Sequence, residues 1–284
     1  MKKVFLVCLG ILPFAMSCQK ALSPNATTEA KSLVVAEKAF MEMAEMSTEA
    51  YHGGTFVYGI DQPTYIYANG KSTNGFEAKA NCNVTITIDT LAPTSQITID
   101  WGTSNCTCND FKTRRGKLIV TFNGGYLDSG TVITYTPQDY YVNDNKIEGT
   151  MKITNKGHNA SGQPFYDVDI DGTVTLKTGE QVNYQSQRVR TFTAGYNTVL
   201  NYLDDEYDIT GTAHAQIVGG EKFDAETLSP VHFKTSCPYL TKGKIKITPE
   251  STNNAPVELD FGNGDCDANF TATYNGHTYT INVI

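Results

Sequence analysis

The chain has 284 residues, with 30 acidic side chains against 22 Lys and Arg and a formal net charge of -8. Apolar residues make up 40% and charged residues 18%, which excludes an acidic disordered tail and a helical membrane bundle. Net acidity without a long basic run argues against nucleic acid as the main partner.

Met1-Lys2-Lys3 is a short positive start, and Val4 to Phe14 is an apolar stretch too short to span a bilayer as a mature helix. Ala15-Met16-Ser17-Cys18 then places small residues before a cysteine in the pattern of a bacterial lipobox. Residues 1–17 are therefore expected to be a signal peptide. Cys18 is expected to carry acyl chains that hold the mature protein on a membrane. Losing Lys2 and Lys3 leaves 30 acids against 20 bases, a net charge of -10. Cys18-Gln19-Lys20-Ala21 resembles the start of the surface-export signals of Bacteroidota lipoproteins, but Ala21-Leu22 stand where acidic residues continue that signal. The outer membrane is the expected location, with the facing side open.

Residues 18–27 read as a tether, and residues 28–50 as one helix. Leu33, Ala36, Phe40, Met43 and Ala44 recur at helical spacing, and His52-Gly53-Gly54 ends the run. Met41, Met43 and Met46 are expected to pack this helix onto a sheet.

Residues 55–284 read as strands and turns. Val84 to Ile88, Lys117 to Phe122, Thr131 to Tyr135, Thr173 to Leu176 and Lys244 to Ile247 alternate with period two. Asn123-Gly124-Gly125, Asp171-Gly172 and Asn275-Gly276 punctuate them as turns. The expected fold is mainly β, an antiparallel meander or sandwich-like sheet with one N-terminal α-helix.

A repeat lies within it, spanning 82–122 and 237–283. Shifted by 160 positions, Ile97-Thr98-Ile99-Asp100-Trp101-Gly102 falls on Val257-Glu258-Leu259-Asp260-Phe261-Gly262, and Cys106 falls on Cys266. Cys82 and Cys106 are centred on the turn at Thr94. Cys237 and Cys266 are centred on the turn at Ser251-Thr252. Residues equidistant from a hairpin turn face one another, which predicts Cys82–Cys106 and Cys237–Cys266 disulfides worth about 3–4 kcal/mol each. Cys82–Cys108 is the rival pairing, and a Cys82/Cys106/Cys108 metal cluster a weaker one. Export supplies the oxidising compartment.

Chemistry-bearing motifs are sparse. His52, His158, His214, His232 and His277 are scattered, and neither a G-x-S-x-G elbow nor a P-loop occurs. No catalytic residue, metal or cofactor is expected. Asp167-Val168-Asp169-Ile170-Asp171-Gly172 matches half a Ca²⁺ loop, but Thr178 replaces the bidentate Glu, and a hairpin turning at Asp171-Gly172 is the preferred reading. Asp260, Asn263, Asp265 and Asp267 read as turn chemistry. Arg114 and Arg115, with Arg188 and Arg190 sharing a face of another strand, form a candidate surface for an anionic glycan or lipid headgroup. A solvated hairpin rim is the plainer alternative. Tyr140-Tyr141 suit either sugar stacking or cross-strand packing.

The lipobox, the Trp101-Gly102, Cys106-Thr107-Cys108 and Arg114-Arg115-Gly116 stretch, and the Cys237-Pro238-Tyr239, Leu259-Asp260-Phe261-Gly262 and Cys266-Asp267 stretch resemble exported lipoproteins of Bacteroidota. That resemblance implies a lipid-anchored all-β protein and brings no catalytic residues. A non-enzymatic binding or structural role toward glycan, lipid or an envelope protein is the leading expectation. A Ca²⁺-stabilised adhesin-like module and an enzyme with a site built from distant strands are the alternatives.

Overall fold

The computed structural model describes residues 24–51, 67–68, 71–75, 84–89, 94–108, 111–198, 202–251 and 255–282. Cys18 and Cys82, and with them the signal peptide and anchor, lie outside the described residues.

Helix α1 spans Pro24–Tyr51, four residues earlier than the periodicity predicts. Pro24 explains the difference: its fixed φ and missing N–H suit the first turn of a helix. Sixteen strands follow: β1 (Tyr67–Ala68), β2 (Lys71–Gly75), β3 (Thr85–Asp89), β4 (Ser95–Asp100), β5 (Cys106–Thr107), β6 (Thr113–Phe122), β7 (Val132–Val142) and β8 (Asn145–His158). Then come β9 (Pro164–Thr175), β10 (Gln181–Ala194), β11 (Glu206–Ile217), β12 (Lys222–Lys234), β13 (Leu240–Pro249), β14 (Val257–Asn263), β15 (Asn269–Tyr274) and β16 (His277–Asn282).

All belong to one antiparallel meander. Each strand pairs with the next, except that β4 pairs directly with β6 and β5 adds to β6 from the side. The hairpin chemistry is as the sequence predicts at Asn275-Gly276, where φ values of 50° and 75° make the tight turn between β15 and β16. Register shifts at Arg115/Lys117, Tyr135/Tyr140 and Ile209/Thr212 bend the sheet.

That curvature wraps the sheet around α1. The helix packs against β4, β7, β8, β9, β10, β11 and β14, so strands from both ends of the meander reach it. Among the described side chains of residues 28–50, only Lys31 and Lys38 are exposed. Leu33, Phe40, Met43 and Met46 are buried at 3% exposure or less and Met41 is partly buried, so these methionines are core. No described helix is long and apolar enough to cross a membrane.

The turn expected at Asp171-Gly172 is absent. Strand β9 runs straight through it, with Val168, Ile170 and Val174 buried and Asp167, Asp169 and Asp171 facing out. Gly172 is there for contact rather than for turning. A Cβ on it would meet the Phe40 ring at 2.4 Å and the Glu148 carbonyl at 2.4 Å. The three aspartates sit on an extended strand, which cannot wrap an ion as a calcium loop does. Asp167 pairs instead with Lys156 at 3.1 Å and Asp169 with Lys152 at 3.6 Å.

The repeat forms matching corners of one continuous sheet. In each unit an Asp side chain caps the turn: Gly102 N donates to Asp100 Oδ1 at 2.8 Å, and Gly262 N to Asp260 Oδ1 at 3.0 Å. Both glycines have positive φ, 76° and 89°. Each intervening aromatic, Trp101 or Phe261, turns into the core. The units then diverge. Asp100 faces Lys117 across β4 and β6, whereas Asp260 faces Thr271, six positions short of the aligned His277.

Cys237–Cys266 is a disulfide with Cα atoms 5.8 Å apart. Cys106 is also disulfide-bonded, while Cys108 is buried and takes part in no disulfide, which overturns the Cys82–Cys108 pairing.

A Gly172→Ala substitution is expected to cost about 1–3 kcal/mol in chemical denaturation. The loss should be smaller in a Phe40→Leu background. A Gly172→Ala protein as stable as the parent would contradict the close approach of helix and sheet.

Candidate functional site

The inward face of a sheet that surrounds a helix should be apolar, yet α1 brings Glu29, Ser32, Glu37, Glu42 and Ser47 into it, each under 9% exposed. Burying an unpaired carboxylate is costly. Inward-facing arginines supply the counter-charge. Arg188 on β10 donates from Nη2 to Glu37 Oε2 at 2.9 Å, and the Tyr184 hydroxyl donates to the same oxygen. Arg114 on β6 pairs with Glu42 Oε1, and Lys112 reaches Glu42 Oε2 at 2.7 Å.

The four arginines expected to form an anion-binding face are thus divided. Arg114 and Arg188 are buried, at 0% and 4% exposure, and ion-paired to the helix. Arg115 faces the other way, bonded to Asn105 and Asp144 at 2.5 Å and stacked on Tyr141 at 3.7 Å. Arg190 shares the inward face with Arg188, but among the described side chains no helix glutamate pairs with it. The alternation of β10 places Arg188 and Arg190 together as the sequence indicates; the face they share lies under the helix and not in solvent.

Beside Arg190 the helix and sheet part. A partly open cavity of about 340 Å³ lies there, near the C-terminal end of α1. Its apolar wall includes Ile97, Val120, Phe122, Ile133 and Phe192, and its polar groups include Ser47, Tyr126, Tyr135, Asp205 and Tyr207. A smaller chamber of about 40 Å³ shares Thr48, Tyr126, Tyr135, Asp205 and Tyr207 with it and adds Arg190 and Glu45. Tyr126 stacks on Tyr166 at 5.0 Å, and Phe192 packs on Tyr207 at 4.3 Å. Tyr207 donates to Asp205 Oδ2 at 2.9 Å. Ser47 donates to the Ala44 carbonyl at 3.0 Å, and among the described residues no histidine lines the cavity.

Burial sets the protonation of these groups. It pushes Glu45 up to about 7, helped by neighbouring Glu42, and Asp205 up to about 6, partly opposed by the Tyr207 hydrogen bond. Glu29 also rises to about 7, through burial and then Glu221. Burial moves Tyr135 to about 12 and raises Tyr126 and Tyr207 as well, so the hydroxyls are neutral donors.

The outer face carries an open polar hollow over β8 to β13. Its charged groups satisfy one another: His214 with Asp224 at 2.8 Å, Lys246 with Glu226 at 3.4 Å, and Lys152 with Asp169. His232 lies between Asp208 at 2.8 Å and Glu206 at 3.2 Å. Among the described residues no group of His, Cys, Asp and Glu is arranged to hold a metal ion. Tyr140, proposed for sugar stacking, is buried against Trp101 at 5.1 Å. Asp260 and Asp267 accept backbone N–H bonds within their turns.

Composition did not point to the cavity, because Tyr126, Tyr135, Asp205 and Tyr207 come from separate strands and loops. One signal was available: Glu37 falls four residues after Leu33 and three before Phe40, on the apolar face of the helix. Comparison with family profiles, curated proteins and solved structures returns no match.

Three buried carboxyls with raised pKa values fix the direction of the pH dependence. The folded chain holds these protons more tightly than the unfolded one. Their contribution to stability is therefore full below about pH 4 and is lost as pH rises through 6 to 7. The thermal midpoint is expected to fall between pH 5 and pH 8, and Glu45→Gln to flatten that fall. A midpoint that rises over this range, or a slope untouched by Glu45→Gln, would contradict the assignment.

Proposed function

We propose that the mature chain is an exported outer-membrane lipoprotein, anchored by acyl chains on Cys18. We further propose that it acts by binding a small, largely apolar ligand between its helix and its sheet. The observation that carries this reading is the partly open cavity of about 340 Å³, largely apolar on its walls and fitted with a few polar groups. That size and composition are those of small-molecule sites. The lipobox sequence supports the anchor, and the Cys237–Cys266 bond supports an oxidising compartment.

Binding is favoured over catalysis because, among the described cavity residues, Ser47 donates to the helix backbone and Asp205 accepts from Tyr207, so neither is set against the other as nucleophile and base.

The neutral fluorophore N-phenylnaphthylamine is expected to bind the protein saturably with a rise in emission. Ile133→Trp, which fills the cavity from its wall, should weaken that binding about tenfold while the thermal midpoint stays within a few degrees. Equal binding by both proteins, or none by either, would overturn the cavity reading. For the anchor, mass analysis of the mature amino terminus should find a doubly or triply acylated Cys18; an unmodified Cys18 would refute it.

A further inference from the structure

We propose that the small chamber at Arg190 receives the carboxylate of an apolar monocarboxylic acid, whose hydrocarbon body fills the larger cavity. This rests on the cavity being the binding site and names the chemistry of its ligand.

Three arginines point inward from the sheet near the helix, and two of them, Arg114 and Arg188, are matched by Glu42 and Glu37. Arg190 is the exception. Its guanidinium lies among aromatic rings, 4.6 Å from Tyr207, 5.5 Å from Tyr166 and 5.9 Å from Tyr126. It donates from Nη2 to the Tyr126 hydroxyl. Its Nε–H, like that of Arg188, has no hydrogen-bond partner among the described residues, but unlike Arg188 the side chain is ion-paired to no described carboxylate. Ring faces hold a cation in place but leave its N–H donors in the ring plane unused. A guanidinium remains charged at any working pH, so an anion is the complementary guest.

The chamber of about 40 Å³ has room for a carboxylate. It borders the apolar cavity, with which it shares Thr48, Tyr126, Tyr135, Asp205 and Tyr207, and this juxtaposition suits a head-and-body ligand. Glu45 and Asp205 also line the chamber. Burial raises Glu45 to about 7, so it is partly protonated near neutral pH and can donate a hydrogen bond to a carboxylate, as Asp205, raised to about 6, can at lower pH.

Displacement of N-phenylnaphthylamine by decanoate, decanol and decylamine separates the possibilities, since the three share a tail. Decanoate is expected to displace the dye at a concentration at least tenfold lower than either of the others. Arg190→Gln should reduce decanoate to the level of decanol while leaving decanol unchanged. If that variant does not fold, carboxyl-labelled decanoate on the unaltered protein gives the same answer by ¹³C NMR. Its bound carboxylate should then stay ionised to lower pH than the free acid. Equal displacement by decanol and decanoate would overturn the proposal, as would a preference for decylamine, which would assign the site to Asp205. A bound carboxylate that protonates more readily than the free acid would also overturn it. Failure of all three to displace a bound dye would sink the carboxylate site and leave the cavity reading standing, whereas failure of the dye itself to bind would remove both.

Discussion

The structure depends on a charge match between one helix and the sheet that encloses it. Glu37 and Glu42 project from the buried side of α1, and Arg188 and Arg114 project from β10 and β6 to meet them. A buried ion pair gains little over a well-packed apolar pair, because desolvation consumes most of the attraction. Its value lies in exclusivity. A glutamate shifted by one helical turn would be a buried charge without a partner, so these pairs fix the helix in one position against the sheet. Phe40 over Gly172 adds a steric constraint at the same level. Once α1 is fixed, the gap beside Arg190 has a defined shape.

The outside of the sheet works by different rules. There, Lys152–Asp169, Lys156–Asp167 and Lys244–Glu258 pair across neighbouring strands in contact with solvent, where each contributes a few tenths of a kcal/mol. Charge on that face keeps the sheet soluble and sets its cross-strand register. Charge on the inner face orients the helix. The same residue types therefore do unrelated work, separated only by the two-residue alternation of the strands.

That alternation was legible in the sequence, as were the single helix, the core methionines, the Cys237–Cys266 pair and the repeat of Asp100-Trp101-Gly102 at Asp260-Phe261-Gly262, though not that the repeat makes two corners of one sheet. What could not be read was which face of each strand looks inward when both carry polar residues. Arg114 and Arg188 read as surface because arginine usually is. Only the helix, some seventy to 150 residues away, supplies the carboxylates that make their burial tolerable. Asp171-Gly172 read as a turn because that dipeptide usually makes one, and the ring of Phe40 gives the glycine a different purpose. The cavity was invisible for a related reason: the polar groups Ser47, Tyr126, Tyr135 and the Asp205/Tyr207 pair lie far apart along the chain.

The central claim is that the buried carboxylate–arginine pairs position α1 within the sheet. A double-mutant cycle on Glu37→Leu and Arg188→Met, read by chemical denaturation, tests it most directly. Each single change should cost about 3–5 kcal/mol by stranding a buried charge. The double change should cost less than their sum by about 2–3 kcal/mol. Single effects below about 1 kcal/mol, or additivity within about 0.5 kcal/mol, would mean that the helix is held by apolar packing alone and that the charge match is incidental.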